Sequence, residues 1–203
     1  MKIAVTGAGG AFRTRLALAL GRRLDLPVIA EDMDGVITAE LALQRGANSH
    51  DAMARLRNDC LDQGLSWLQR RRDRQLEVGA FVADGFAFDL LQRWLSNGTG
   101  EKHRSWFDGL VAECRAQAGV LDLIVMPPLQ QASQRGDKRD WNSRISHIGQ
   151  LESQALLRGL MDEMLQTPRL YLPVSAVGEE AQIAQVVETL RALGLLSRPV
   201  AGR

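Results

Sequence analysis

Five short apolar runs, each followed by a stretch of helical periodicity, set the strongest constraint on how this chain folds. Lys2 to Thr6 ends at glycines, and from Ala11 to Leu24 the apolar Leu16, Leu20 and Leu24 recur four apart, one stripe of a helix. Pro27 to Ala30 is a second strand, closing on the acids Glu31, Asp32 and Asp34. Ser49 is an N-cap for a helix to about Gln75, with Met53, Leu56, Cys60 and Leu61 on one side and a basic tail at Arg70 to Arg74. "EVGAFVADGF" reads as a strand buried on both faces and closing on Asp84, before a helix whose Phe88, Leu91, Trp94 and Leu95 face the core. His103 to Ala118 is helical, "VLDLIVMPPL" is a fourth strand stopped by Pro127 and Pro128, and Ile145, Ile148, Leu156, Leu160 and Met164 mark a long helix. "PRLYLPV" is the fifth strand, with a closing helix from Glu179 to Leu193.

Such alternation predicts an α/β fold, a parallel sheet with helices on both faces and right-handed crossovers. The expected strand order is 2-3-1-4-5, which puts Gly7 and Asp84 on adjacent strand ends. In these sheets ligands bind beyond the carboxyl ends of the strands, where Gly7 to Thr14, Glu31, Asp32 and Asp84 all fall. With 203 residues, 45% hydrophobic, the chain suits one domain spanning 1–203.

The first loop carries the chemistry. In "GAGGAFRT", Gly7 opens and Thr14 closes the spacing of a Walker A loop, but Phe12 stands where the second glycine belongs and Arg13 where the lysine belongs. Such a loop works through backbone N–H groups and a helix N-terminus aimed at phosphate, with lysine on the β- and γ-phosphates and Ser/Thr on magnesium. Gly7, Ala8, Gly9, Gly10, Ala11, Phe12, Arg13 and Thr14 are therefore the candidate phosphate-binding residues. Phe12 is expected to constrict the wrap, and Arg13 keeps the charge on a longer, planar fork. Only Lys2, Lys102 and Lys138 are lysines among 25 basic residues, so Arg13 also follows the chain's general preference for arginine. Two other readings stand beside this one. One is a plain Gly-rich turn. The other is a dehydrogenase-type TGxxxGxG turn, weakened because Ala11 and Arg13 occupy its glycine positions and Tyr171 has no lysine four residues on.

A net charge of +1 gives no pull toward nucleic acid or membrane, so the expected partner is a small anion such as a nucleotide or another phosphorylated molecule. Cys60 and Cys114 form no metal or disulfide framework, His50, His103 and His147 lack metal spacing, and no apolar run reaches the roughly 18 residues of a membrane span. A cytoplasmic protein is expected, and a homodimer is left open. The tryptophans Trp67, Trp94, Trp106 and Trp141 are expected to pack, with Trp141 the candidate exception. Arg70 to Arg74 is read as favouring a helix C-terminus.

The stretches "IAVTGAGGAFRTRLALALGRRLDLPVIAED", "FVADGFAFDLL", "LDLIVMPPLQ" and "RGDKRDWNSRISHI" resemble, in that order, the loop, third strand, fourth strand and lid of small P-loop nucleoside and nucleotide kinases and the related AAA-like ATPases that include nicotinamide riboside kinase domains. The resemblance implies ATP and Mg2+, with Asp32 and Asp84 as base or magnesium partners, Thr14 as a second magnesium ligand, and Arg135, Arg139 and Arg144 as phosphate clamps in a lid over 134–144 that orders on phosphate. The family's arginine after the third-strand acid is here Gly85. Asp84 could equally be a helix N-cap. Two functions follow: an ATP-dependent phosphotransferase acting on a small nucleoside-like acceptor, favoured by the acids and lid arginines, or a non-catalytic binding module, favoured by Phe12 and Arg13.

Overall fold

The computed structural model describes residues 1–8, 10–96, 104–129, 141–173 and 178–197. Strands β1 (Lys2–Val5), β2 (Val28–Ile29), β3 (Phe81–Asp84), β4 (Leu123–Met126) and β5 (Arg169–Tyr171) form one sheet. Every pairing is parallel and the order is β2-β3-β1-β4-β5, as the alternation predicts. The helices are α1 (Gly10–Leu24), α2 (Asp34–Arg45), α3 (His50–Val78), α4 (Ala87–Ser96), α5 (Arg104–Gly119), α6 (Trp141–Met164) and α7 (Glu179–Ala192).

The period of two along the strands divides the core into two layers. Ile3, Val5, Val82, Leu123 and Val125 point to one face, where Leu16 and Leu20 of α1 meet Ile183, Val186 and Leu190 of α7. Ala4, Phe81, Ala83 and Ile124 point to the other, covered by apolar residues of α2 to α6 such as Leu68, Leu91, Trp94 and Met161. A three-layer α/β/α sandwich results. Its central strands are apolar apart from Lys2 at the start of β1 and Asp84 at the end of β3, because both faces are covered.

Ser49 caps α3 as expected, its hydroxyl accepting from the Ala52 N–H at 3.2 Å. The buried seam of this helix runs Cys60, Leu61, Gly64, Trp67, Leu68, Arg71 and Gln75. Gly64 is required there, since a Cβ would lie 2.7 Å from the Trp94 ring. Glu77 and Val78 belong to this helix and not to β3.

Two sequence expectations differ from the structure. Helix α2 has no counterpart in the sequence reading, because Gly35, Val36, Ile37 and Thr38 are weak helix formers. Packing of Val36 and Glu40 decides it, with Glu40 paired to Arg93 at 2.5 Å. Among the described side chains of α6, Leu157 and Met161 are buried, while Leu156, Leu160 and Met164 sit half-buried and Ile148 is 65% exposed. Adjacent Leu156 and Leu157 allow either phase, and packing selects the second. Segments 97–103 and 130–140 lie outside the described residues.

Candidate functional site

Register fixes the site. Val5 pairs with Asp84, so the carboxyl ends of β1 and β3 lie side by side. Gly85 donates its N–H to the Val5 carbonyl at 2.7 Å. It has a φ of +73°, and a Cβ there would come within 3.4 Å of both the Glu31 and Asp89 carboxylates. The strand therefore turns on a residue that leaves room for acids.

The opening loop is shorter than the Walker pattern implies. Helix α1 already begins at Gly10, so Phe12 and Arg13 belong to its first turn. The Phe12 ring is buried, with the Arg15 guanidinium 5.6 Å from the ring centroid. What remains of the loop turns at Gly7, whose φ is +126°. The Gln154 amide of α6 braces it, accepting from the Ala8 N–H at 2.9 Å and donating to the Pro127 carbonyl at 2.9 Å.

Arg13 turns into the protein. It is 5% exposed and faces three carboxylates from three elements. Nε donates to Asp84 Oδ1 at 2.7 Å, Nη1 lies 3.5 Å from Asp89 Oδ1, and Nη2 pairs with Glu31. Nη1 also reaches the Gly7 carbonyl at 3.4 Å. Around this guanidinium the acids are held in turn. Thr14 Oγ1 donates to Asp84 Oδ2 at 2.7 Å, Thr6 Oγ1 donates to Asp89 Oδ1 at 2.8 Å, and the Phe86 N–H donates to Asp89 Oδ2 at 2.7 Å. A single lysine ammonium on its stem could not span this set, whereas a planar fork can.

A second buried cation, Arg71, sits beneath the strand ends. It is 4% exposed and donates to the carbonyls of Ala30 at 3.2 Å, Asp84 at 3.0 Å, and Gly85. Its guanidinium lies 5.2 Å from the Trp67 ring centroid, and Trp67 Nε1 donates to the Glu31 carbonyl at 2.7 Å. Arg71 thus ties β2 to β3 and fixes the backbone that carries Glu31 and Asp84. The assignment of Arg70 to Arg74 as helix-terminal charge fails for Arg71, because α3 continues to Val78 and its seam turns this residue inward.

The cluster's charges set its titration. Burial opposes the Arg13 charge, but Asp89, Glu31 and Asp84 outweigh it and hold the guanidinium above its ordinary value. Burial pushes Arg71 down, to about 10, against the pull of Asp89, Glu31 and Asp84, which leaves it protonated at neutral pH. Glu31 is raised, by burial first and by Asp89 and Asp84, with Arg13 opposing.

The carboxylates and threonine hydroxyls are hard oxygen donors of the kind magnesium takes. The guanidinium already among them pairs with all three acids, so the residues as arranged do not fit a divalent ion. Among the described residues, no group of His, Cys, Asp and Glu side chains is disposed to hold a metal.

Of the sequence candidates, the structure brings together Arg13, Thr14, Asp84 and the Gly7 turn. Asp32 is exposed with φ +44° and stays outside the cluster, its place taken by neighbouring Glu31. Asp84 ends β3 and does not cap α4; Asp89 reaches back to the Phe86 N–H instead. Gly9, Arg135 and Arg139 lie outside the described residues. Gly10, Ala11 and Arg144 are placed in helices by their backbone alone. Trp67 and Trp94 pack in the core as expected. Sequence reasoning missed Asp89, Arg71, Thr6 and Gln154. Asp89 was accessible from the acid at the third position of a helix, and Arg71 from its helical spacing to Trp67 and Leu68.

No protein-family model and no curated protein matches the sequence. Solved structures do share its architecture. Deoxyadenosine kinase from M. mycoides, with products dCMP and a flexible dCDP bound, superposes with a TM-score of 0.58 at 12% identity, over 95% of this chain and 100% of that one. The YorR protein from Bacillus subtilis, in complex with phosphorylated GDP, superposes with a TM-score of 0.51 at 12% identity, over 97% and 99%. The chain shares the three-layer α/β/α fold of these two structures.

Proposed function

We propose that the chain is a nucleoside-phosphate-binding protein of P-loop kinase fold whose capacity for phosphoryl transfer is suppressed. The observation that carries this reading is the position of Arg13. The residue at the Walker lysine position is spent on Glu31, Asp84 and Asp89, so it contributes no free charge to a β- or γ-phosphate. Transfer depends almost wholly on positioning and charge neutralisation, so losing that cation lowers the rate more than it lowers binding. Binding keeps the N-terminus of α1, which has no acid in its first turn, although the Ala8 N–H of the Gly7 turn beside it is given to Gln154. ATP is the expected ligand, and a cytoplasmic site of action follows from its supply.

A second reading is an active kinase on a nucleoside-like acceptor. The hydrogen bond between Thr14 and Asp84 favours it, since these are the residues the family resemblance assigns to magnesium. In that reading Asp32 is the further acid, and Arg135, Arg139 and Arg144 clamp phosphate from a lid over 134–144.

Calorimetric titration of ATP, GTP and dCDP, with a phosphate-release assay on the same samples, separates the readings. Binding is expected at roughly 0.1 to 1 mM for at least one of them, with no release above the protein-free blank. Turnover at about 1 s⁻¹ or faster would establish the kinase reading. Failure to bind any of the three at millimolar concentration overturns the nucleotide reading altogether. Arg13→Lys is the informative variant; Phe12→Gly is avoided because Phe12 is buried and its removal opens a cavity.

A further inference from the structure

We infer that Arg13 is a built-in counter-cation that occupies the place of a divalent metal ion, so that this cluster of carboxylates takes up no such ion. The inference shares the reading of the strand ends as a phosphate site, but it stands on the geometry of the cluster alone. Glu31 after β2, Asp84 at the end of β3 and Asp89 in α4 converge on one buried guanidinium. Their oxygens are oriented by Thr14 and Thr6 at 2.7 and 2.8 Å, an arrangement of hard donors suited to a small cation.

The cation at that point is covalently attached. The Arg13 guanidinium meets each carboxylate through a different nitrogen, Nε for Asp84, Nη1 for Asp89 and Nη2 for Glu31. A magnesium ion entering the cluster would have to expel this group or sit against it, and either is unfavourable. Like charges repel strongly in a partly desolvated site. An expelled guanidinium would also leave its Nε–H bond to Asp84 and its contact with the Gly7 carbonyl unmade. A soluble ion exchanges with the medium, while a tethered one does not. The second buried cation, Arg71, is committed to backbone carbonyls and does not compete for the same oxygens.

Manganese alone tests this, with no nucleotide present, so the result is independent of whether a nucleotide binds. The six-line electron paramagnetic resonance signal of free Mn2+ is followed as protein is added. The wild type should leave the signal unchanged. Arg13→Ala, which leaves the three carboxylates without their cation, should quench it with an affinity at least about tenfold higher. Millimolar guanidinium chloride, far below denaturing concentration, should restore the free signal in that variant by refilling the space. Should Arg13→Ala fail to fold, the pair Arg13→Ala with Glu31→Gln removes one charge of each sign and keeps Asp84, Asp89 and both threonines. Folding is checked by circular dichroism, and a smaller gain in Mn2+ affinity over the wild type is expected, because two carboxylates remain. Wild type that binds Mn2+ as tightly as the variants overturns the inference, and so does a folded variant with no gain.

Discussion

Replacing Arg71 with methionine removes the tie between β2 and β3 while keeping an unbranched apolar side chain in the space. Three backbone carbonyls, of Ala30, Asp84 and Gly85, lose their donor; those of Asp84 and Gly85 are buried, and each buried acceptor left without a partner costs about 1 to 3 kcal/mol, while exposed Ala30 can turn to water. Contact of the guanidinium with the Trp67 ring contributes about a further 0.5 to 2 kcal/mol. Against this, the wild type buries a charge whose Nε has no hydrogen-bond partner, a cost of several kcal/mol that methionine relieves. The balance is a loss of about 3 kcal/mol, or a fall of about 1 M in the urea midpoint for a chain of this size. Arg71→Lys restores the charge but not the fork, and should recover less than half of the loss. Equilibrium urea unfolding, followed by tryptophan fluorescence and circular dichroism together, measures all three proteins. An Arg71→Met midpoint within about 0.2 M of the wild type would refute the idea that this arginine holds the strand ends together.

Glu31→Gln should change how stability depends on pH. The folded-state value of Glu31 is raised, so its proton is held more tightly in the folded protein, and the stability this confers is present below the ordinary glutamate range and lost as pH rises through the raised value. The glutamine variant should therefore gain on the wild type as pH rises above the ordinary glutamate range; thermal melts across that rise give the comparison, and a gain in the opposite direction contradicts the assigned charges. Gly7→Ala should cost about 2 kcal/mol, from a φ of +126° and a Cβ 2.9 Å from Gln154 Oε1. Combining it with Gln154→Ala should return only part of that, because the backbone strain stays; full recovery in chemical unfolding would assign the whole effect to the contact.

The sheet was legible because its signals are physical requirements of the fold. Strands covered on both faces must be apolar, so Phe81 to Asp84 and Leu123 to Met126 announce themselves. The parallel sheet followed from alternation and crossover handedness, which by themselves allow more than one strand order. Helix α2 was hidden, because Val36, Ile37 and Thr38 have little helical preference and only the burial of Val36 and Glu40 decides for a helix. At the site, the Gly7 turn and Asp84 were readable from motif spacing, as was the exchange of lysine for Arg13. Where Arg13 goes was not readable, since it depends on Glu31, Asp84 and Asp89 converging from 18 to 76 residues away, a property of register and not of any local pattern. The preference for Asp32 over Glu31 failed to anticipate geometry for a related reason: one residue's difference after a two-residue strand decides which acid faces the cluster. Gln154 carries no sequence signal, and only the placement of α6 against the loop brings its amide to Ala8.

The central claim is that Arg13 stays with the carboxylates when a nucleotide occupies the loop. The Nε–H of Arg13, assigned in a 15N-edited spectrum by its loss in Arg13→Lys, reports on this directly. In saturating nucleoside triphosphate the backbone amides of Ala11 and Phe12 at the start of α1 should shift, proving occupancy. The Arg13 Nε–H should keep its position and its slow exchange with water, held by Asp84 at 2.7 Å. An Nε–H signal that moves with those amides, or is lost to exchange when they move, would show the guanidinium leaving the acids for the phosphate and would contradict the account.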